Sequence, residues 1–249
     1  MRTVAIVNRK GGVGKTTTAQ AFGAGLIRRG YTVLYIDLDS QCNLSYGMNA
    51  DSRQPSIMDV LTGHTTAAEA IQRTERGDII AGSEALAGAD ALIDGTGKEY
   101  RLREALEGIE HEYDFAIIDT PAALGTLTVN ALTAAQDAII PVIADIYSIQ
   151  GIKQLYEAIQ AVKKYCNREL TISGILITRY NNRTRLSKDM RESLEDVAGQ
   201  IGTKVFKTPI RECIAVKEFQ ALQMDIFAYA PRSNAAKDYD AVIEEYLRD

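Results

Sequence analysis

The segment from residue 8 to residue 18, NRKGGVGKTTT, constrains this chain more than any other part of it. It follows a short apolar run at residues 3–7 and opens a helix-like stretch at Lys15. Glycines let the backbone wrap around phosphate oxygens with its N–H groups pointing inward, and a helix start adds its positive dipole end. An ordinary glycine-rich turn would not require Gly-Lys-Thr where the helix begins, so we predict a nucleotide-phosphate site.

Each residue of this loop has an expected role. Lys15 would bridge the β- and γ-phosphates, Thr16 would offer its hydroxyl to Mg²⁺, and Thr17 is placed to reach the α-phosphate. The remaining residues expected to bind the nucleotide through their backbone are Gly11, Gly12, Val13 and Gly14. The expected ligands are therefore ATP and Mg²⁺.

Apolar runs and helical stretches alternate along the chain. Strand-like runs occur at residues 3–7, 32–36, 115–118, 138–143 and 172–177, with shorter candidates at 78–81 and 204–206. Helical stretches occur at residues 15–29, 98–111, 125–135, 149–165, 187–201 and 234–247. Continuous apolar strands separated by helices are typical of parallel sheets buried on both faces. We predict an α/β fold with a doubly wound, mostly parallel sheet, of the P-loop NTPase class, as one domain over residues 1–249.

Composition and cysteine usage indicate the cellular compartment. The net charge is −5, and none of the three cysteines forms a C-x-x-C pair, which is typical of a reduced intracellular protein. The chain shows neither a signal-peptide pattern nor an apolar run near the ~20 residues of a membrane span. We expect a cytoplasmic protein.

Three aspartates follow strand-like runs. Asp37 and Asp39 come after the second run, and Asp119 follows the run at 115–118. Open α/β sheets bind ligands at the carboxyl ends of their strands, where carboxylates can hold metal-bound water or orient an attacking water. A single aspartate there is often only a turn or helix-cap residue. Three beside a phosphate-binding loop favour the functional interpretation.

The loop departs from the common pattern G-x-x-x-x-G-K-[ST] because Arg9 stands at the first glycine position and Lys10 is an additional lysine. The resulting KGGVGKTT is a deviant Walker A motif. Here the chain resembles the ParA/MinD family of ATPases, and its small Soj-like ParA members more closely. The resemblance covers residues 1–48 and 112–143 well and residues 49–97 weakly.

This resemblance implies roles for further residues. Lys10 would reach across a dimer interface to the phosphates of the partner's ATP, and Asp39 would be the catalytic aspartate. Asp119 would be linked to Mg²⁺, with Asp37 helping to hold the water shell of the metal. Pro209 is the candidate adenine contact. The catalytic set is therefore Lys10, Lys15 and Asp39.

The chain also departs from the family in the shape of its loops. Ser40 replaces the usual Pro, Cys42 stands where Gly is frequent, and Ala122 follows Pro121 in place of a second Pro. The charged groups remain, so we expect an active ATPase.

Residues 179–217 carry nine basic and five acidic side chains, a net charge of +4, on a chain whose remainder is therefore −9. A basic segment can bind DNA backbones without reading sequence, although a solvated helix face with ion pairs is an equally good explanation for any one residue. The candidate DNA contacts are Arg183, Arg185, Lys188, Arg211 and Lys217.

The resemblance and the basic segment together suggest a DNA-partitioning ATPase. ATP would close a homodimer that binds non-specific DNA, and a ParB-like centromere-binding partner would stimulate hydrolysis, so the protein would associate with the nucleoid. One alternative is a MinD-like positioning ATPase acting on a protein assembly or membrane, but residues 238–249 are acidic rather than basic. An iron–sulfur carrier ATPase would need suitably placed cysteines. A nucleotide switch without hydrolysis would not need Asp39.

Overall fold

A computed structural model describes residues 1–181 and 184–248. The strands are β1 Arg2–Ile6, β2 Val33–Asp37, β3 Ile71–Thr74, β4 Gly77–Ile80, β5 Phe115–Asp119, β6 Asp137–Ile143 and β7 Thr171–Thr178. The longer helices are α1 Lys15–Ile27, α6 Arg101–Glu107, α7 Thr126–Ala134, α8 Ile146–Tyr165, α9 Arg185–Gln200, α10 Ala215–Ala221 and α12 Asn234–Arg248. The short helices are α2 Asn43–Gly47, α3 Ile57–Leu61, α4 Ala67–Ala70, α5 Ala89–Leu92 and α11 Ile226–Tyr229.

These strands form one sheet in the order β3-β4-β2-β5-β1-β6-β7. Every neighbouring pair is parallel except β3 and β4, which are antiparallel. The doubly wound, mostly parallel sheet predicted from the sequence is confirmed. The run at 78–81 is β4, whereas β3 had no sequence signal and the candidate strand at 204–206 makes only an isolated bridge from Val205 to Ile175.

Helices cover both faces of the sheet and bury two separate apolar clusters. One cluster joins the sheet to α6, α7, α8 and α9, and the other joins it to α1, α10, α11 and α12. Helix α1 lies very close to β2, because a Cβ atom placed on Gly23 would be 2.3 Å from the Tyr35 ring. This close packing holds the first turn of α1 at the carboxyl edge of the sheet.

Helix starts differ from the sequence prediction where a side chain caps the helix. Asp145 accepts a hydrogen bond from the Ser148 N–H, so α8 begins at Ile146 rather than at 149. Thr184 caps α9 in the same way, so α9 begins at Arg185 rather than at 187. Among the described residues, no helix has both the length and the apolar character that crossing a membrane requires.

Candidate nucleotide site

A cleft of about 900 Å³ opens at the carboxyl edge of the sheet. Six segments line it: the phosphate-binding loop with α1, the loop after β2 with α2, the loop after β5, the end of β7, the segment from 210 to 221 with α10, and Tyr239 of α12. The residues predicted for nucleotide binding, metal binding and catalysis that line it are Gly11, Gly12, Gly14, Lys15, Thr16, Thr17 and Asp39. Segments distant in sequence therefore meet at one site.

Left-handed glycines shape the phosphate-binding loop. Gly12 has a φ of 73° and Gly14 a φ of 88°, values that residues with a Cβ rarely adopt. The Thr178 hydroxyl of β7 is within hydrogen-bonding distance of two carbonyl oxygens. It lies 2.8 Å from that of Val13 in the loop and 3.0 Å from that of Val142 in β6. The loop is thus held to β6 and β7 without any ligand.

The residues after Gly14 are anchored from the other side. The Lys15 ammonium lies 3.5 Å from the Lys10 carbonyl oxygen, and burial lowers the pKa of Lys15, while the charges of Asp119 and Asp39 act in the opposite direction. Thr17 accepts a hydrogen bond from the Gln220 side chain at 2.9 Å. A buried cation whose hydrogen bond to the backbone is this long is suited to binding an anionic phosphate.

Asp37 and Asp119 lie side by side, because they pair in register on β2 and β5. Asp37 is fully buried, and its oxygens accept hydrogen bonds from the Ser45 N–H at 2.8 Å, the Ser45 hydroxyl at 2.7 Å and the Asp39 N–H at 3.1 Å. Burial raises the pKa of Asp37, and these hydrogen bonds oppose the rise. A Cβ atom on Gly82 would lie 3.1 Å from the Asp37 carboxyl carbon, so this neighbour has little room for a side chain.

Asp119 differs from Asp37 in its hydrogen bonding. It is fully buried, and neither of its oxygens has a hydrogen-bond partner within residues 1–181 and 184–248. Burial raises the pKa of Asp119 well above the usual value, and the charge of Asp37 adds to the rise, whereas Thr16 and Lys15 act against it. Two unsatisfied oxygens next to the Thr16 hydroxyl fit Mg²⁺, a cation that uses one or two carboxylates and otherwise waters and phosphates.

Asp39 lies at the mouth of the cleft, half-buried, and its carboxylate accepts the Gln41 N–H at 3.0 Å. Glycine would suit position 42 of this loop because Cys42 has a φ of 52°, in the left-handed region. Burial raises the pKa of the Cys42 thiol to about 11, and the charges of Asp37 and Asp39 add to the rise. The thiol is therefore neutral at physiological pH.

Lys10 is not among the residues that line the cleft. Its ammonium makes an ion pair with Asp145 and lies 6.0 Å from the centre of the Tyr147 ring. Arg9 donates to the side chain of Gln154 on α8. The first half of the loop is therefore tied to the segment after β6.

The segment after β7 contributes residues that the sequence did not identify as cleft residues. Pro209 is half-buried and does not line the cleft, whereas the next two residues, Ile210 and Arg211, do. Arg211 is held by Asp238 of α12 in a two-point ion pair, with contacts of 2.6 and 2.9 Å. Gln220 also lines the cleft, yet α10 had no periodic signal that would have predicted it.

The candidate DNA contacts separate into two groups. Arg185 and Lys188 are exposed near the start of α9, and Arg185 lies 3.8 Å from Asp189. Arg211 and Lys217 instead line the cleft. Arg183 lies outside the described residues.

Comparisons with known proteins identify relatives over nearly the full length of the chain. A model of the AAA domain matches residues 1–172. The chain is 37% identical to the sporulation initiation inhibitor protein Soj of Bacillus subtilis, over 96% of this chain and 95% of Soj. It is 34% identical to the chromosome partitioning protein ParA of Caulobacter vibrioides, over 99% of this chain and 94% of that protein.

Solved structures show the same fold. Cobyrinic acid a,c-diamide synthase from Mycobacterium smegmatis, with bound ADP and magnesium, superposes with a TM-score of 0.86 at 34% identity, over 100% of this chain and 94% of that one. The cell division ATPase MinD of Pyrococcus furiosus gives a TM-score of 0.81 at 24% identity, over 99% of this chain and 98% of that one. Given its phosphate-binding loop, its fold and its near full-length relatives, the chain belongs to the Soj/ParA-type partitioning ATPases of the ParA/MinD family.

Proposed function

We propose that this protein is a DNA-partitioning ATPase of the cytoplasm. It would close into a homodimer with ATP, bind DNA without sequence preference on the nucleoid, and reopen when a ParB-like partner stimulates hydrolysis. One observation carries the proposal: a deviant phosphate-binding loop and Asp39 line one cleft at the strand ends that carry Asp37 and Asp119, while the Lys10 side chain lies outside that cleft in an ion pair with Asp145. Partitioning relatives in several bacteria support the choice of cargo.

Hydrolysis follows from the positions of the charged groups. Lys15 and the backbone N–H groups of the loop would hold the phosphates, and Thr16 with Asp119 would hold Mg²⁺, which neutralises phosphate charge when bound. Asp39 would orient a water that attacks the γ-phosphorus. The bond from that phosphorus to the bridging oxygen breaks, which gives ADP and phosphate. Asp37 would help to hold the water shell of the metal while keeping the loop after β2 in place.

Dimerisation would supply the remaining cation. Lys10 would contribute to the partner's site the positive charge that stabilises the transferred phosphoryl group. Closing the dimer would also place two copies of each basic surface on one particle, so nucleotide binding would raise DNA affinity. We propose Arg185 and Lys188 as the principal DNA contacts, because both are exposed and both lie at the same edge of the sheet as the cleft. Arg211, Lys217 and Arg183 remain secondary candidates, and Pro209 remains the candidate for the adenine.

A MinD-like action on membranes is the weaker proposal. The apolar side chains of α12, Tyr239, Val242, Ile243 and Tyr246, are buried against the rest of the protein. This helix would have to leave the core before its apolar face could enter a lipid surface.

The test is DNA binding by the purified protein with ATP, with ADP and without nucleotide, at two salt concentrations. We expect binding with ATP only, stronger in Asp39→Ala because the ATP state persists, and weaker at the higher salt. DNA binding of equal strength with ATP, with ADP and without nucleotide would contradict the proposal. No DNA binding in any of these states would also contradict it.

Paired charge variants locate the DNA surface. Arg185→Ala/Lys188→Ala should weaken binding and reduce the slope of log affinity against log salt by about 2, one for each lost phosphate contact. Lys164→Ala/Arg168→Ala removes the same charges from two exposed positions at the opposite edge of the sheet, Lys164 in the last turn of α8 and Arg168 between α8 and β7. An equal loss in both double variants would show that net charge, rather than the α9 surface, controls DNA binding.

A further inference from the structure

The ion pair between Lys10 and Asp145 lies outside the nucleotide cleft of its own subunit. The side chains of Lys10 and Asp145 are 36% and 32% exposed, so the pair is neither fully solvated nor buried. Asp145 lies directly after β6 in the segment that leads into α8. The contact joins residues 135 positions apart in sequence.

Neighbouring contacts orient the Lys10 side chain towards Asp145. Asn8 accepts the Lys10 N–H at 3.0 Å and donates its amide to the Pro141 carbonyl at 2.6 Å. Arg9, the other nearby cation of the loop, is engaged by Gln154 and not by Asp145. The backbone before the glycines is therefore fixed to β6, and the Lys10 side chain extends towards α8 and away from the cleft of its own subunit.

Asp145 does not depend on Lys10 for its hydrogen bonds. Its Oδ1 atom accepts the Ser148 N–H at 2.9 Å and lies 3.0 Å from the Ser148 hydroxyl, and these contacts cap α8. Burial raises the pKa of Asp145, but hydrogen bonds from Lys10 and Ser148 outweigh it and lower the pKa overall. When Lys10 leaves, Asp145 therefore keeps its hydrogen bonds with Ser148 and its negative charge. No buried group loses its only partner.

We infer that Asp145 is a positioning residue, which holds Lys10 in the separate subunit and must release it before Lys10 can reach a second copy's nucleotide. The inference rests on the proposed nucleotide-dependent dimer. Asp145 and the partner's phosphates compete for one ammonium group, so the pair opposes dimer closure. Because a partly exposed pair is weak and screened by salt, the opposition is modest and reversible.

Asp145→Asn separates the charge of Asp145 from its capping role, since Asn caps helices about as well as Asp. Asp145→Ser is a second variant that keeps a capping oxygen and removes the charge. Asp240→Asn is the matched control, because it also removes one carboxylate and one partly exposed ion pair, with Arg29 beyond the end of α1. Native Lys10 and the whole nucleotide site are kept in all three.

The measurement is the dimer dissociation constant by sedimentation with Mg²⁺ and a non-hydrolysable ATP analogue, at about 0.05 M and about 0.5 M salt. At low salt, Asp145→Asn and Asp145→Ser should dimerise about two- to 25-fold more tightly than the wild type, because each of two subunits loses one partly exposed pair. At high salt the difference should shrink to less than about twofold. Asp240→Asn should match the wild type at both.

Three results would overturn the inference. The first is equal or weaker dimerisation of both Asp145 variants at low salt. The second is a difference that persists at high salt, which would indicate a change of shape rather than of charge. The third is an equal gain in Asp240→Asn. If the wild type and all variants stay monomeric with the analogue, the proposed dimer itself fails, and this outcome is distinct from the other three.

Discussion

Replacement of Asp119 by asparagine should stabilise the protein in the absence of nucleotide and metal. Asp119 is fully buried, and its carboxylate has no hydrogen-bond partner in the described part of the chain. A buried carboxylate that lacks hydrogen bonds costs about 1–3 kcal/mol in desolvation, and the raised pKa of Asp119 has the same sign. Asparagine removes the charge but still buries an amide, so we expect a gain of about 2 kcal/mol, or about 4–8 °C in Tm.

The pH dependence follows from the direction of the shift. Since the folded-state pKa of Asp119 is raised, the contribution of this one group to wild-type stability is most favourable below 3.8 and falls as pH rises towards the folded-state value. The Asp119→Asn protein has no carboxyl group at this position, so it does not lose this contribution as pH rises. The difference in Tm between the two proteins should therefore be near zero at about pH 3 and grow towards pH 7.

Thermal unfolding in EDTA, and then with Mg²⁺ and an ATP analogue, is the assay. The wild type should gain about 2.7 kcal/mol at a ligand concentration of 100 times Kd, and Asp119→Asn should gain less because a metal ligand is lost. Asp37→Asn is the matched control: the pKa of that carboxylate is also raised, but it accepts hydrogen bonds from Ser45 and Asp39 that an amide only partly keeps, so its gain in stability should be smaller than that of Asp119→Asn. Equal or lower stability of Asp119→Asn in EDTA would refute the reasoning.

Three further predictions concern packing, the thiol and the P-loop helix. Gly23→Ala should destabilise the protein by about 1–3 kcal/mol in urea unfolding because its Cβ would lie 2.3 Å from the Tyr35 ring, whereas Gly151→Ala, with nothing within 4 Å, should stabilise it by about 0.5–1 kcal/mol. Alkylation of Cys42, followed by mass spectrometry, should rise about tenfold per pH unit from pH 8 to pH 10, since only the thiolate reacts and the pKa is about 11. Gln220→Ala should weaken ATP binding about two- to tenfold in calorimetry, because one hydrogen bond that orients the phosphate-binding loop is lost.

The sequence alone predicts a phosphate-binding site because the residues that this chemistry needs are local. A loop of 11 residues contains its own glycines, lysine and hydroxyls, and the strand before it and helix after it define the context. The carboxylates were also predictable, because aspartates at the ends of parallel strands meet at one edge. Register confirms this directly, since Asp37 and Asp119 are paired neighbours on β2 and β5.

Other parts of the cleft had no comparable signal. The helix that carries Gln220 is only seven residues long, too short to show a helical period. Strand β3 has four residues with a polar majority, and it forms because a two-residue turn pairs it with β4. Pro209 was predicted from a short sequence pattern. A shift of one residue along the chain changes which side chain lines the cleft, and the residues that line it are Ile210 and Arg211.

The different hydrogen bonding of the two buried aspartates could not be read from the sequence either, and it determines what each can do. Both end short apolar strands, and a loop follows each of them. Only the fold brings Ser45 and Gly82 around Asp37, with the Gly82 N–H donating to the Ser45 hydroxyl at 2.8 Å. Asp37 is therefore hydrogen-bonded by the protein itself, whereas the two Asp119 oxygens have no hydrogen-bond partner in the part of the chain that the structure describes. A family motif can name both carboxylates, but the choice between supporting a loop and holding a cation depends on which donors the packed structure provides.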